Sequence, residues 1–95
     1  MRQYELMIIL DPNLSNEENT TLIQEITDEV KTLNVVDLKT DLWGTRDLAY
    51  KINGSYTGYY LMLTFGGEGL SFFEVIKSFN LKKAIWRHMF VKIDE

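Results

Sequence analysis

The side chains in this sequence that could carry chemistry are few and dispersed. His88 is the single histidine, and there is no cysteine. A general base needs a positioned partner, and a metal site needs several ligands. Neither can be assembled from spacing around His88, which reads as a half-buried sheet residue. Glu25, Asp28 and Glu29 fall on the polar side of a helix-spaced segment and read as solvated charge. The run Gly66-Gly67-Glu68-Gly69 reads as a loop entering a helix, far from a phosphate-loop signature. What remains is a cation, Arg46, inside DLWGTRDLAYKINGSYTGYY, residues 41–60. A guanidinium there can meet a phosphate, meet a partner surface, or pair locally with Asp41 or Asp47. The chemistry expected is therefore recognition; no enzymatic activity, cofactor, metal or small-molecule substrate is expected.

The composition narrows the polymer this chain can bind. Its 95 residues are 45% apolar, enough for one domain over 1–95 with one core. A chain of this size buries roughly 60–65% of its extended surface, so it needs no staples. The absence of cysteine fits a reducing compartment. The longest apolar runs fall well short of the roughly 18 residues of a membrane span, so no membrane partner is expected. The opening MRQYELMIIL is interrupted by Glu5 and does not read as a signal peptide. The net charge of −4 argues against unaided grip on a nucleic acid, because such binding is driven by neutralising phosphates. The charge is segregated, however. Acids concentrate in residues 11–41, whereas Arg2, Arg46, Lys51, Lys82, Lys83, Arg87 and Lys92 lie mostly elsewhere.

The elements that must position these residues follow from periodicity. Tyr4 to Leu10 is a strand, stopped by Asp11-Pro12-Asn13. Ser15 and Glu18 form a capping box, followed by Leu22, Ile26, Val30 and Leu33 at helical spacing, with an end near Asn34. Strands over 36–52 and 59–65 are joined by the turn-rich NGSYTG. Ser71 and Glu74 repeat the S-x-x-E signal before Phe72, Val75, Ile76 and Phe79. Residues 84–93 form the last strand. The order β-α-β-β-α-β predicts an α+β fold, a four-stranded antiparallel sheet with both helices on one face.

Such a sheet should alternate apolar and polar positions, because one face meets water. These strands do so poorly. If Leu6, Ile8, Leu10, Leu61, Leu63, Phe65, Trp86, His88 and Phe90 face the helices, the open face carries Met7, Ile9, Tyr60, Met62, Met89 and Val91. Three of the four methionines lie in that set, with Arg46, Arg87 and Lys92 near it or along its edges. An apolar patch of this extent marks an interface, and methionine, aromatics and arginine are the residues interfaces favour.

Four ordered stretches carry a family resemblance: Met1-Arg2-Gln3-Tyr4-Glu5, Asp11-Pro12-Asn13-Leu14, Trp43-Gly44-Thr45-Arg46-Asp47-Leu48-Ala49-Tyr50 with Ile52, and Arg87-His88-Met89 with Val91-Lys92. In this order and spacing, across essentially the whole chain, they resemble the bacterial small-subunit ribosomal protein six family. The W-G-x-R-x-L-A-Y stretch is the most specific. The resemblance implies a ferredoxin-like fold and a structural role without enzymatic activity. It implies binding to the central domain of small-subunit ribosomal RNA, together with a small basic partner, small-subunit ribosomal protein eighteen. The location implied is a cytoplasmic ribosome or an organellar ribosome of bacterial type.

Carried over by position, the resemblance assigns RNA contact to Arg2, Arg46, Arg87 and Lys92. The partner would take the apolar face of Met7, Ile9, Tyr60, Met62, Met89 and Val91, and would supply much of the phosphate neutralisation. Two departures stand out. Asp47 occupies a place where many relatives carry a further basic residue, and the sequence ends at Asp94-Glu95 without their longer tail, so tail contacts are not expected. Trp43 can stack on a base, although packing against the hairpin is the favoured role; Tyr4 and Tyr50 read as structural, and Gly44 as a bulge. An acylphosphatase-like enzyme would need a phosphate loop after the first strand, where Asp11 would repel the substrate. The competing reading is a ferredoxin-like interaction or ligand-sensing domain that self-associates through its open face, and fold alone does not separate the two.

Overall fold

Strand β1 (Arg2–Leu10) is an inner strand of the sheet, with an antiparallel partner on each side. The chain then forms α1 (Asn16–Lys31), β2 (Val36–Ile52), β3 (Ser55–Gly67), α2 (Phe73–Asn80) and β4 (Ile85–Ile93), with the strands ordered β2-β3-β1-β4. This computed structural model describes residues 2–93. Met1 of the Met-Arg-x-Tyr-Glu motif and the ending Asp94-Glu95 lie outside the described residues. The architecture is the α+β, ferredoxin-like arrangement expected from the pattern, with four antiparallel strands and two helices.

The core fills the space between the sheet and the helices. Leu6, Ile8 and Leu10 of β1 and Leu61, Leu63 and Phe65 of β3 are fully buried, and Leu22, Ile26, Val30, Val75 and Phe79 meet them from the helices. The register puts these side chains opposite one another, Leu6 beside Leu63 and Ile8 beside Leu61, so one slip would turn the whole set to the other face.

Helix α1 begins as its sequence dictates. The Ser15 side chain accepts from the Glu18 backbone N–H, and the Glu18 carboxylate accepts from that of Ser15, at 3.1 and 3.0 Å. The backbone N–H of Ser15, then its hydroxyl, holds the Glu18 carboxyl below the usual carboxylate range. The second S-x-x-E signal does not form a cap. Helix α2 is preceded by Phe72, without any side-chain capping bond. The cause is packing: Phe72 stacks on Phe90 at 4.2 Å and meets Tyr4 edge-on at 5.2 Å, so ring burial sets the helix entry and Ser71 is left exposed.

Three other expectations change. The β2–β3 turn is only Asn53-Gly54, both at positive φ (48° and 79°), so β3 begins at Ser55 and the hairpin is longer than the sequence suggested. A bulge between β1 and β4 puts Ile85 beside Leu10 and buries it, leaving Trp86 half-buried where it was expected to fill the core. Glu29 is a tie rather than a solvated charge. Its carboxylate accepts from the Ser78 hydroxyl at 2.7 Å and pairs with Lys82 at 3.1 Å, joining α1 to α2 and the turn after it.

Candidate nucleic-acid and partner interface

The open sheet face is organised in rows set by strand register. Met62, Met7 and Met89 stand opposite one another across β3, β1 and β4. The next row is Tyr60, Ile9 and Arg87; on the other side Val91 lies beside Glu5, which lies beside Thr64. All six apolar residues expected on this face are therefore on it. Met7, Ile9, Tyr60 and Met62 are half-buried, and Met89 and Val91, on the edge strand, are 58% and 40% exposed. A shallow concavity of about 250 Å³ is lined by Met7, Ile9, Tyr50, Arg87, His88 and Met89.

The chain covers part of this face itself. Gly58 has no side chain, so Ile9 and Leu48 close over its backbone; a Cβ there would lie 2.6 Å from Ile9 Cγ2 and 3.2 Å from Leu48 Cδ2. Leu48 thus packs the long hairpin onto the sheet. Tyr50 does not share that role: it is 64% exposed and stands at the rim of the concavity.

The four basic residues do not form one patch. Arg46 pairs in register with Gly58 and Arg87 with Ile9, which places them on the open face at its two margins, β2 and β4. Three strand spacings separate those strands, roughly 14 Å. Arg2, opposite Gly67, and Lys92, opposite Tyr4, have the helix-side parity near the other end of the sheet. Both are exposed. The Arg87 guanidinium donates to the Trp86 carbonyl at 2.8 Å. Asp41, one of the local partners weighed for Arg46, meets the Trp43 indole instead, accepting from its N–H at 2.9 Å. Arg46 lies over the Trp43 ring, 5.2 Å from its centroid.

His88 sits as expected for a sheet residue. It is half-buried, meets Phe79 edge-on at 5.6 Å, and its Nε2–H donates to Asn80 Oδ1 at 3.2 Å. Burial pushes its pKa below the ordinary 6.5. Among the described residues, no three His, Cys, Asp or Glu side chains are grouped to hold a metal ion.

The family model of ribosomal protein S6 matches residues 3–92. The chain belongs to the ribosomal protein S6 family. It is 32% identical over 94 residues to small ribosomal subunit protein bS6 of Fusobacterium nucleatum, covering 99% of this chain and 100% of the relative. It is 33% identical over 94 residues to the bS6 of Desulforudis audaxviator, with the same coverage. The crystal structure of 30S ribosomal protein S6 from Thermotoga maritima shares its fold, with a TM-score of 0.86 over 97% of this chain and 87% of that one, at 24% identity. In this S6-family chain, Trp43 and Arg46 lie on the open face, at its β2 margin. Trp43 takes the favoured packing role against the hairpin, stacking on Tyr60 with rings 10° from parallel and centroids 6.4 Å apart. Sequence reasoning missed its contact with Arg46, 5.2 Å from the ring centroid, although Gly44, read as a bulge, resets the alternation between them.

Proposed function

We propose that this ribosomal protein binds the central domain of small-subunit ribosomal RNA jointly with a small basic partner, small-subunit ribosomal protein eighteen, as a structural component of the ribosome without catalytic activity. The observation that carries the reading is the row Met62–Met7–Met89, apolar across three strands on the face the helices do not cover. The partner lies against Met7, Ile9, Tyr60, Met62, Met89 and Val91. Arg46 and Arg87 meet RNA phosphate from the two margins of that face, and Arg2 and Lys92 meet it at the far end of the sheet. Phosphate contacts of this kind position a protein without reading sequence. A net charge of −4 makes the chain a poor RNA ligand by itself, and a basic partner offsets that repulsion.

The test is binding of a central-domain RNA fragment to the purified chain, with and without the basic partner, over a range of salt. Binding is expected to be negligible for the chain alone. With the partner it appears, and weakens steeply as salt rises. Salt-insensitive self-association, with no RNA binding gained on adding the partner, would overturn the reading in favour of a self-associating module.

A further inference from the structure

Trp43 and Arg46 are three residues apart, a spacing that puts two side chains on opposite faces of a regular strand. Here they share a face. Asp41 pairs with Met62, Gly44 with Tyr60 and Arg46 with Gly58, so one extra residue is inserted between Leu42 and Gly44. Gly44 adopts φ +80°, which glycine reaches without steric cost. The bulge thereby gathers Asp41, Trp43 and Arg46 on the open face. The indole is then fixed from three directions: its N–H donates to Asp41 Oδ2 at 2.9 Å, one side lies along Tyr60, and the Arg46 guanidinium lies within cation–π range. Arg46 Nε also donates to the Trp43 carbonyl across a long 3.5 Å.

We propose that Asp41 and Trp43 are positioning residues for Arg46, so that a carboxylate at the edge of an anion-binding surface strengthens that surface. The proposal rests on the reading that Arg46 meets RNA phosphate. An arginine loses rotamer freedom when it binds, and one already docked on a fixed indole has less to lose. Simple charge counting gives the opposite expectation, that removing Asp41 can only help a polyanion bind. The two are separable because asparagine keeps an acceptor for the indole N–H while alanine does not, and both remove the charge.

The experiment compares Asp41→Asn with Asp41→Ala in the complex with the basic partner and the RNA fragment, after thermal melts confirm both are folded. Asp41→Asn is expected to bind RNA at least as tightly as the parent, and Asp41→Ala roughly two- to fivefold more weakly than Asp41→Asn, the size of an exposed cation–π contact. Equal affinity for the two variants would overturn the proposal. The free chain gives a second readout. The Arg46 side-chain protons should show ring-current shifts in NMR that survive in Asp41→Asn and collapse in Asp41→Ala. If the parent chain and partner bind no RNA, the proposed function fails. The ring-current comparison then decides the positioning alone, and shifts unchanged in Asp41→Ala would refute it.

Discussion

The two faces of this sheet are built from the same strands and differ in what covers them. On one, Leu6, Ile8, Leu61, Leu63 and Phe65 are sealed by α1 and α2. On the other, one residue along each strand, Met7, Ile9, Tyr60 and Met62 are almost as apolar and only half-buried. Two helices can cover one face of a four-stranded sheet, and in a solitary domain the second would be polar. The chemistry also differs. The sealed face is aliphatic and aromatic, whereas the open face carries methionine, tyrosine and arginine, side chains that adapt to a partner or offer a polar end. On the proposed function, stability and recognition are divided between alternate residues of single strands, so adjacent substitutions should separate them.

The largest effect is expected on the sealed face. Leu63→Ala should lower unfolding free energy by about 2–5 kcal/mol, measured by urea titration. Gly58→Ala should follow, costing about 1–3 kcal/mol, because its Cβ would collide with Ile9 and Leu48. A neutral result there would mean the hairpin is not held on the open face. Met89→Ala should change stability by no more than about 0.5 kcal/mol, given its exposure, while weakening association with the basic partner by about 1 kcal/mol or more in calorimetric titration. A substitution equally mild for both would erase the distinction between the faces.

The smallest effect is one of pH. His88, packed on Phe79, has a pKa lowered by burial, so just below its ordinary value of 6.5 the unfolded chain binds more protons than the folded one. Stability should therefore fall as pH drops through that window. His88→Gln should lose this component when urea midpoints are compared from pH 8 to pH 5. A histidine that instead stabilised the fold on protonation would contradict its placement.

Much of this was legible in the residues. The first capping box, the helix-facing parity of β1 and β3 and the six open-face residues all follow from short-range spacing, which one strand or helix turn dictates. What was not legible depends on contacts distant in sequence. Ser71 loses its cap because Phe72 is drawn to Tyr4 and Phe90. Trp86 loses its core position because a bulge gives it to Ile85. Tyr50 stands exposed in the irregular stretch between the Asp47–Thr57 and Ile52–Ser55 pairs, just before the two-residue turn. At the candidate site, residue types marked all four cations alike, although the alternation that turns Leu6 and Phe90 to the helices already sets Arg2 and Lys92 on the other parity from Arg87. The Trp43–Arg46 pairing needed the Gly44 bulge, which resets parity within a single strand.

Central to the account is that the open face is where another molecule sits. Methionine methyl groups report this directly, because Met7, Met62 and Met89 form one row on that face. In a chain labelled at its methionine methyls and at those of Leu6, Leu61 and Leu63, NMR titration with the basic partner should shift or broaden the three methionine signals and leave the leucines nearly unmoved. A complex that forms while those three signals stay in place would contradict it.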